Sequence, residues 1–341
     1  MTAPVLITGG AGFIGSALAD RLAREGEHVL VLDSLARPGT EANLAWLRAR
    51  HPVRLAAVIA DVRDADAVNE AAREACAVFH MAAQVAVTTS LADPIADLQV
   101  NLLGTVTVLE ALRRHPRPLV FASTNKVYGG LHDVALTRGA DAYAPEDELL
   151  ARHGLDENRP LQFCTPYGCS KGAADQYVLD YAESFGMPTA VLRMSCIYGP
   201  RQLGTEDQGW VAHFARQAIA GETLTIYGDG RQVRDILFID DAVAAYVGAW
   251  RRIGQVSGQA FNLGGGPGNA VSLLALLRQI EAELGRPVAR RLAPWRPNDQ
   301  RWFVADARRA RAALGLPAPL DWREGVARML RSFAERQVVA A

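Results

Sequence analysis

The stretch Gly10-Ala11-Gly12-Phe13-Ile14-Gly15 limits what this chain can fold into more than any other part of it. It is a G-x-G-x-x-G that follows the apolar run Val5-Leu6-Ile7 and opens a helical pattern over residues 13–25. In that setting glycines let the backbone approach a pyrophosphate, and unpaired N–H groups at the helix start face the anion. A Gly-rich turn in some other α/β protein would reproduce the glycines but not the strand before and the helix after.

Further apolar runs at 29–32, 53–59, 77–79 and 119–121 alternate with helical patterns. Such alternation predicts an α/β fold, a Rossmann-type doubly wound parallel sheet with right-handed crossovers. With 341 residues, half of them hydrophobic, there is material for that domain and for a smaller C-terminal substrate-binding lobe. Residues 128–166 break the rhythm with Pro145, Pro160, Pro166 and the acids Glu146, Asp147, Glu148, Asp156 and Glu157, which predicts a long irregular active-site loop over 129–166. A helix over 168–185 and a strand over 188–193 resume the pattern. After Gly199-Pro200 the segments shorten. The expected division is 1–199 as mainly the NAD-binding domain and 200–341 as mainly the substrate lobe, with the chain crossing back between them.

Asp33 closes the second strand, 18 residues after Gly15. A carboxylate there accepts hydrogen bonds from both ribose hydroxyls and repels a 2′-phosphate. Arg37 nearby argues for NADP; the acid is weighted more heavily and NAD is the expected cofactor. Asp61, at the end of the third strand, either meets the adenine or caps a helix.

Tyr167 and Lys171 form a Tyr-x-x-x-Lys that shares one helical face. An ammonium near the phenol favours phenolate and lowers its pKa, making Tyr167 the expected catalytic acid/base. Ser123-Thr124 ends the fifth strand, where open α/β sheets hold ligands, so Thr124 is expected to hydrogen-bond the reacting oxygen.

The remaining composition argues against other classes. Net charge is −1 and no block of one sign stands out. Nucleic acid and membrane surfaces are therefore not expected partners, and Arg308-Arg309-Ala310-Arg311 reads as a solvated helix face. Cys76, Cys164, Cys169 and Cys196 have no metal-ligand spacing, so no metal is expected. With no run of about 18 apolar residues and no leader pattern, the expected location is the cytoplasm.

These residues resemble the extended short-chain dehydrogenase/reductase superfamily, which modifies nucleotide sugars. The marks are Thr8-Gly9-Gly10-Ala11-Gly12-Phe13-Ile14-Gly15, Asp61-Val62, His80-Met81-Ala82-Ala83, Asn101 with Gly104-Thr105, Tyr167 with Lys171, Tyr198-Gly199-Pro200 and Arg234-Asp235. The resemblance implies that Gly9, Gly12, Phe13, Ile14, Gly15, Asp33, Asp61, Val62, Ala82, Ala83, Thr124, Tyr167 and Lys171 surround NAD. It also implies that Lys171 holds the nicotinamide ribose, and that helices near 93–115 and 168–185 form a homodimer interface.

Within that superfamily, 4,6-dehydratases follow the strand-end Thr with Asp-Glu, and UDP-glucuronate decarboxylases usually carry a Glu in the second place. Here Asn125-Lys126 stand there. The segments 123–129, 166–177, 84–90, 207–211 and 229–235 are instead similar to CDP-paratose 2-epimerases (tyvelose epimerases). That similarity implies C2 epimerisation of a CDP-hexose through a transient 2-keto sugar. A UDP-hexose 4-epimerase, a UDP-glucuronate decarboxylase and a non-catalytic NAD-binding regulator are the competing readings. Two departures from relatives are Cys196 in place of an Asn that contacts the diphosphate, and Cys164 in place of a His. Cys164 either touches the sugar or is a small buried thiol.

For the nucleotide sugar, Asn125 and Lys126 are expected near the reacting carbon. Arg234, Arg296 and Arg201 are the cationic candidates for the diphosphate, against the reading of each as a surface charge. Tyr227 would border the base, and 296–300 resembles the late phosphate-side motif of the family.

Overall fold

The computed structural model describes residues 3–296 and 299–340, with backbone alone for 336–340. Pro297 and Asn298, part of the late motif, lie outside the described residues. In chain order the first half comprises β1 (Val5–Thr8), α1 (Phe13–Arg24), β2 (Val29–Asp33), α2 (Thr40–Arg50), β3 (Leu55–Ile59), α3 (Ala65–Arg73), β4 (Ala77–His80), α4 (Val87–Ala92), α5 (Pro94–Leu98), α6 (Gly104–Arg113) and β5 (Leu119–Thr124). Then come β6 (Leu136–Arg138), β7 (Tyr143–Pro145), α7 (Glu148–His153), α8 (Thr165–Phe185), β8 (Thr189–Met194), β9 (Cys196–Tyr198), α9 (Trp210–Ala220), β10 (Leu224–Tyr227) and β11 (Val233–Phe238). The chain ends with α10 (Ile239–Arg251), α11 (Ile253–Val256), β12 (Gln259–Leu263), β13 (Ala270–Ser272), α12 (Leu273–Leu284), β14 (Arg290–Ala293), β15 (Trp302–Phe303), α13 (Arg308–Leu314) and α14 (Trp322–Ala340).

Seven strands form one parallel sheet in the order β12-β8-β5-β4-β1-β2-β3. The order reverses between β1 and β4, which opens a crevice beyond their C-terminal ends. Alternate β1 side chains serve opposite layers. Val5 and Ile7 pack with Leu18 and Leu22 of α1, while Leu6 packs with Val108 of α6 and Val178 of α8. Burying each such Leu contributes about 1.5–3 kcal/mol.

The second lobe centres on β11, flanked by antiparallel β13 and by β15 and β9 in parallel. The chain then returns: α10 lies against α1, and β12 joins the main sheet beside β8. Residues 239–263 are thus built into the nucleotide-binding layer.

The segment expected as irregular is ordered. β6 and β7 form a hairpin, α7 follows, and Leu155 bridges Ala305. Leu131 and Leu155 are buried against Tyr128, Phe303 and Ala305. Those partners of Leu155 at 303–305 lie some 150 residues away, so no local periodicity announces them.

Pro94–Arg113 is a continuous helical run, with a mean hydropathy of 1.3, long and apolar enough to cross a membrane. Here it packs against α3 and α8 and buries Asp97, Asn101 and Thr105. Between α5 and α6 it widens into a π turn over Gln99–Leu103, a feature common at functional sites.

Candidate active site

The loop between β1 and α1 is shaped for close backbone approach. Gly9 has φ +67°, and a Cβ there would lie 2.6 Å from the Ala82 nitrogen; one on Gly15 would lie 2.3 Å from the Gly9 carbonyl oxygen. A side chain on Gly9 would press on the backbone that follows β4, and one on Gly15 would push the start of α1 away from the loop. Gly12 precedes α1 with no side chain capping the helix, so its first-turn N–H groups have no local acceptor from a cap. Phe13, Ile14 and Gly15 form that first turn.

Asp33 stands across the loop. Its Oδ2 accepts from the Ala11 N–H and its Oδ1 from the Leu35 N–H, both at 2.9 Å. Arg37 turns away to the second lobe, donating to Gln208 Oε1 at 2.6 Å and to the Leu203 carbonyl. Asp61 is held by Arg63, whose Nε and Nη2 donate at 2.8 Å and keep the carboxyl below its usual range. The helix cap that follows is Asp64, not Asp61. Val62 is buried in the layer beneath, and Ala82 and Ala83 follow β4 beside Gly9. These residues fit a dinucleotide: bare backbone, uncapped amides and a fixed carboxylate beside them.

Tyr167 lies in the first turn of α8, which begins earlier than expected because Pro166 fits the start of a helix. Thr165, a β-branched residue at φ +65°, turns the chain into that helix, and its Oγ1 accepts from the Gly168 N–H. Ser90 Oγ accepts from the Tyr167 N–H at 3.2 Å. Burial pushes the phenol up to about 12, partly offset by a hydrogen bond to Thr124. This differs from the expected lowering by Lys171: desolvation, joined by the charge of Asp97, outweighs the hydrogen bond from Thr124. Lys171 is itself buried, its Nζ 4.1 Å from the Phe121 ring centroid. Burial lowers it to about 7, against the opposing pull of Asp175 and Asp97.

Two buried networks hold this pair, and neither was visible in the sequence. In the π turn, Asn101 donates to Asp97 Oδ1 and Ser170 Oγ and accepts from the Gln84 N–H. On the other side Asp175 accepts from Ser123 Oγ at 2.7 Å and from Arg193 Nε and Nη2 at 2.9 Å. Arg193 also donates to Tyr128 Oη, which donates to Asn262 Oδ1. One chain of contacts thereby joins β5, α8, β8 and β12.

Of the expected substrate residues, Asn125, Lys126 and Arg234 are brought together through Asp299 and Gln300. Arg234 Nη2 donates to Asp299 Oδ1 at 2.8 Å, and Lys126 Nζ stands 3.9 Å from the same oxygen. Burial and the Arg234 charge lower the Lys126 pKa. Asn125 Nδ2 reaches Gln300 Oε1 at 3.5 Å, while Gln300 Nε2 donates to the Gly129 carbonyl. Cys196 accepts from Trp210 Nε1 at 3.4 Å, and its thiol is pushed up by burial. Cys164 directly precedes α8 and is partly buried.

Tyr227 and Arg296 form a separate pair, with the guanidinium 4.0 Å from the ring centroid. Arg296 also engages Asp207 and the Glu206 carbonyl, and Tyr227 Oη donates to Glu206 Oε1 at 2.8 Å. Arg201, the third diphosphate candidate, lies 3.8 Å over the Trp46 ring and donates to Asn43, both on α2. Asp235, next to Arg234, is buried with a carboxyl pushed up to about 6 by desolvation, and it accepts from Ser195 Oγ and the Gly266 N–H.

A family model described as the NAD dependent epimerase/dehydratase family matches residues 5–264. The CDP-paratose 2-epimerase of Salmonella typhi is 39% identical over 336 residues, 95% of this chain and 97% of that one. The UDP-glucose 4-epimerase of Mycolicibacterium smegmatis is 34% identical, covering 97% of this chain and 98% of that one. Among solved structures, Thermus thermophilus UDP-glucose 4-epimerase in complex with NAD superposes with a TM-score of 0.81 at 32% identity, covering 97% of this chain and 99% of that one.

Proposed function

We propose, because the chain belongs to the NAD-dependent epimerase/dehydratase family, that this nucleotide-sugar enzyme inverts C2 of a CDP-hexose of the paratose/tyvelose type. The observation that carries the choice of reaction is the pair after Thr124. The buried Asn125 and the half-buried Lys126 occupy the places where a dehydration would need a carboxylic acid and a base. The 39% identity to a CDP-paratose 2-epimerase supports the same choice.

When bound, NAD would supply the redox chemistry, as acceptor and donor of the hydride at C2. Tyr167 takes the proton of the C2 hydroxyl and later gives it back, so no net proton is consumed. Thr124, already bonded to the phenol, orients the reacting oxygen. Lys171 supplies positive charge on the same helical face. Arg234 and Arg296 anchor the diphosphate, which lets the 2-keto sugar turn while the nucleotide stays bound. Tyr227 borders the base. The Gly9–Gly15 loop, Asp33 and Asp61 hold the dinucleotide.

We extend the reading to a homodimer. Ile95, Leu98 and Leu103 on the Pro94–Arg113 run and Tyr177 and Phe185 on α8 are exposed apolar side chains on neighbouring helices.

The test is a panel of CDP-, UDP-, GDP- and ADP-sugars followed by NMR. The expected result is epimerisation of a CDP-hexose at C2, with a C2 deuterium retained in the product. Washout of that label into water would sink hydride transfer at C2. Turnover of UDP-glucose at C4 would favour a second reading, which rests on the 34% identity to a UDP-glucose 4-epimerase over nearly the whole chain.

A further inference from the structure

A cleft of about 420 Å³ opens where the end of α7, the loop after β12 and the start of α13 meet. It lies at the β12 edge of the main sheet, whereas Thr124 ends β5 and the glycine loop ends β1. None of its lining residues belongs to the cofactor or substrate groups described above.

The charges in its wall do not cancel. Asp306 is occupied by Arg308, whose Nε reaches its two oxygens at 2.9 and 3.0 Å. Asp321 has Arg323 at 3.8 Å. Arg152 and Arg311 also line the cleft, and among the described residues their side chains have no hydrogen-bond or ion-pair partner. Two uncompensated guanidinium groups thus border one cavity. The opposite wall is bare backbone: a Cβ on Gly268 would meet nothing within 4 Å, and one on Gly266 (φ +68°) would meet only the Ala305 oxygen at 3.8 Å. The volume suits a small molecule, and planar guanidinium groups match phosphate oxygens two at a time.

We infer that this cleft is a second anion site that binds a small phosphorylated metabolite between Arg152 of α7 and Arg311 of α13. The occupant ties the ordered insertion to the C-terminal part of the chain. It does so next to Leu155, whose carbonyl accepts from Asn262 of the network around Asp175.

The test uses the full chain with NAD bound and inorganic pyrophosphate as the probe. Calorimetry reads affinity, and hydrogen exchange locates protection. We expect protection of 148–155 and 264–269, at least tenfold weaker binding there in R152Q/R311Q, and the same loss in G268D, which places a carboxylate in open space without a steric clash. R234A, altered in the catalytic cleft, is expected to keep the protection of 148–155. Equal affinity in the wild type and both cleft variants would overturn the inference, as would protection confined to segments around Arg234.

Discussion

The Lys171 ammonium faces the ring of Phe121, 4.1 Å from its centroid, and Phe121 lies three residues before the strand-end Thr124. An aromatic face stabilises a cation less than a carboxylate would, so burial prevails and Lys171 falls from 10.5 to about 7. The charge on Lys171 is thus held at a cost to the fold.

Replacing Lys171 by Met is expected to cut kcat by about 100-fold or more while leaving thermal stability at pH 7 unchanged or higher. The sign follows from linkage: a buried lysine with a lowered pKa penalises the folded state fully below about pH 7, and the penalty disappears as pH rises through 10.5. Unfolding followed against pH should lose this rising limb in K171M. A large loss of stability at pH 7 would contradict the argument.

Tyr167→Phe should abolish turnover with little change in melting temperature, since the phenol oxygen contributes one hydrogen bond, to Thr124. Thr124→Val removes the contact that holds the phenol down from an even higher value. It should lower kcat by about 100-fold and move the ascending, acid-side limb of the pH–rate profile to higher pH, because Tyr167 takes the proton as phenolate. An unmoved limb would separate Thr124 from the phenol.

Asp33→Ala removes the acceptor of the Ala11 and Leu35 amides together with the expected ribose contact. NAD binding should weaken about tenfold or more, with preference over NADP reduced, as fluorescence titration would read. Arg37 gives NADP little help, because Gln208 and Leu203 already engage it.

Asp175→Asn should destabilise the protein by about 3–5 kcal/mol, because Arg193 is left buried with its partner charge removed. The denaturant midpoint would fall, and activity measured well below that midpoint would fall less than in Tyr167→Phe. A neutral effect on the midpoint would show that water or Tyr128 replaces the carboxylate.

Arg234→Ala should raise KM for the nucleotide sugar more than it lowers kcat, since its proposed role is to hold the diphosphate in both ground and transition states. Asp299→Asn releases Arg234 and Lys126 together and should alter both constants. An effect of R234A on kcat alone would place Arg234 at the reacting carbon instead.

The strand–glycine loop–helix unit was legible because every signal for it lies within about 20 residues. Gly9, Gly12, Gly15 and Asp33 meet in space because one βαβ crossover joins them. Tyr167 and Lys171 were legible for the same local reason, one helical turn. The proton affinity of Tyr167 was not, because desolvation depends on what surrounds the ring and not on which residue lies four places on. The stacking of Arg201 on Trp46 shows the same limit, since the two lie more than 150 residues apart in the chain.

The sequence by itself determined the layered α/β pattern, the dinucleotide loop and the one-turn spacing that sets Tyr167 and Lys171 on one face of α8. These rest on hydrophobic period, glycine stereochemistry and i,i+4 spacing, all of which act over one or two elements. Only the tertiary structure decided that 129–166 is an ordered insertion, that Asp299 links Lys126 to Arg234, and that Asp175 and Arg193 brace α8. Each of those depends on side chains from distant segments sharing one desolvated volume, where a charge must find a partner or shift its pKa.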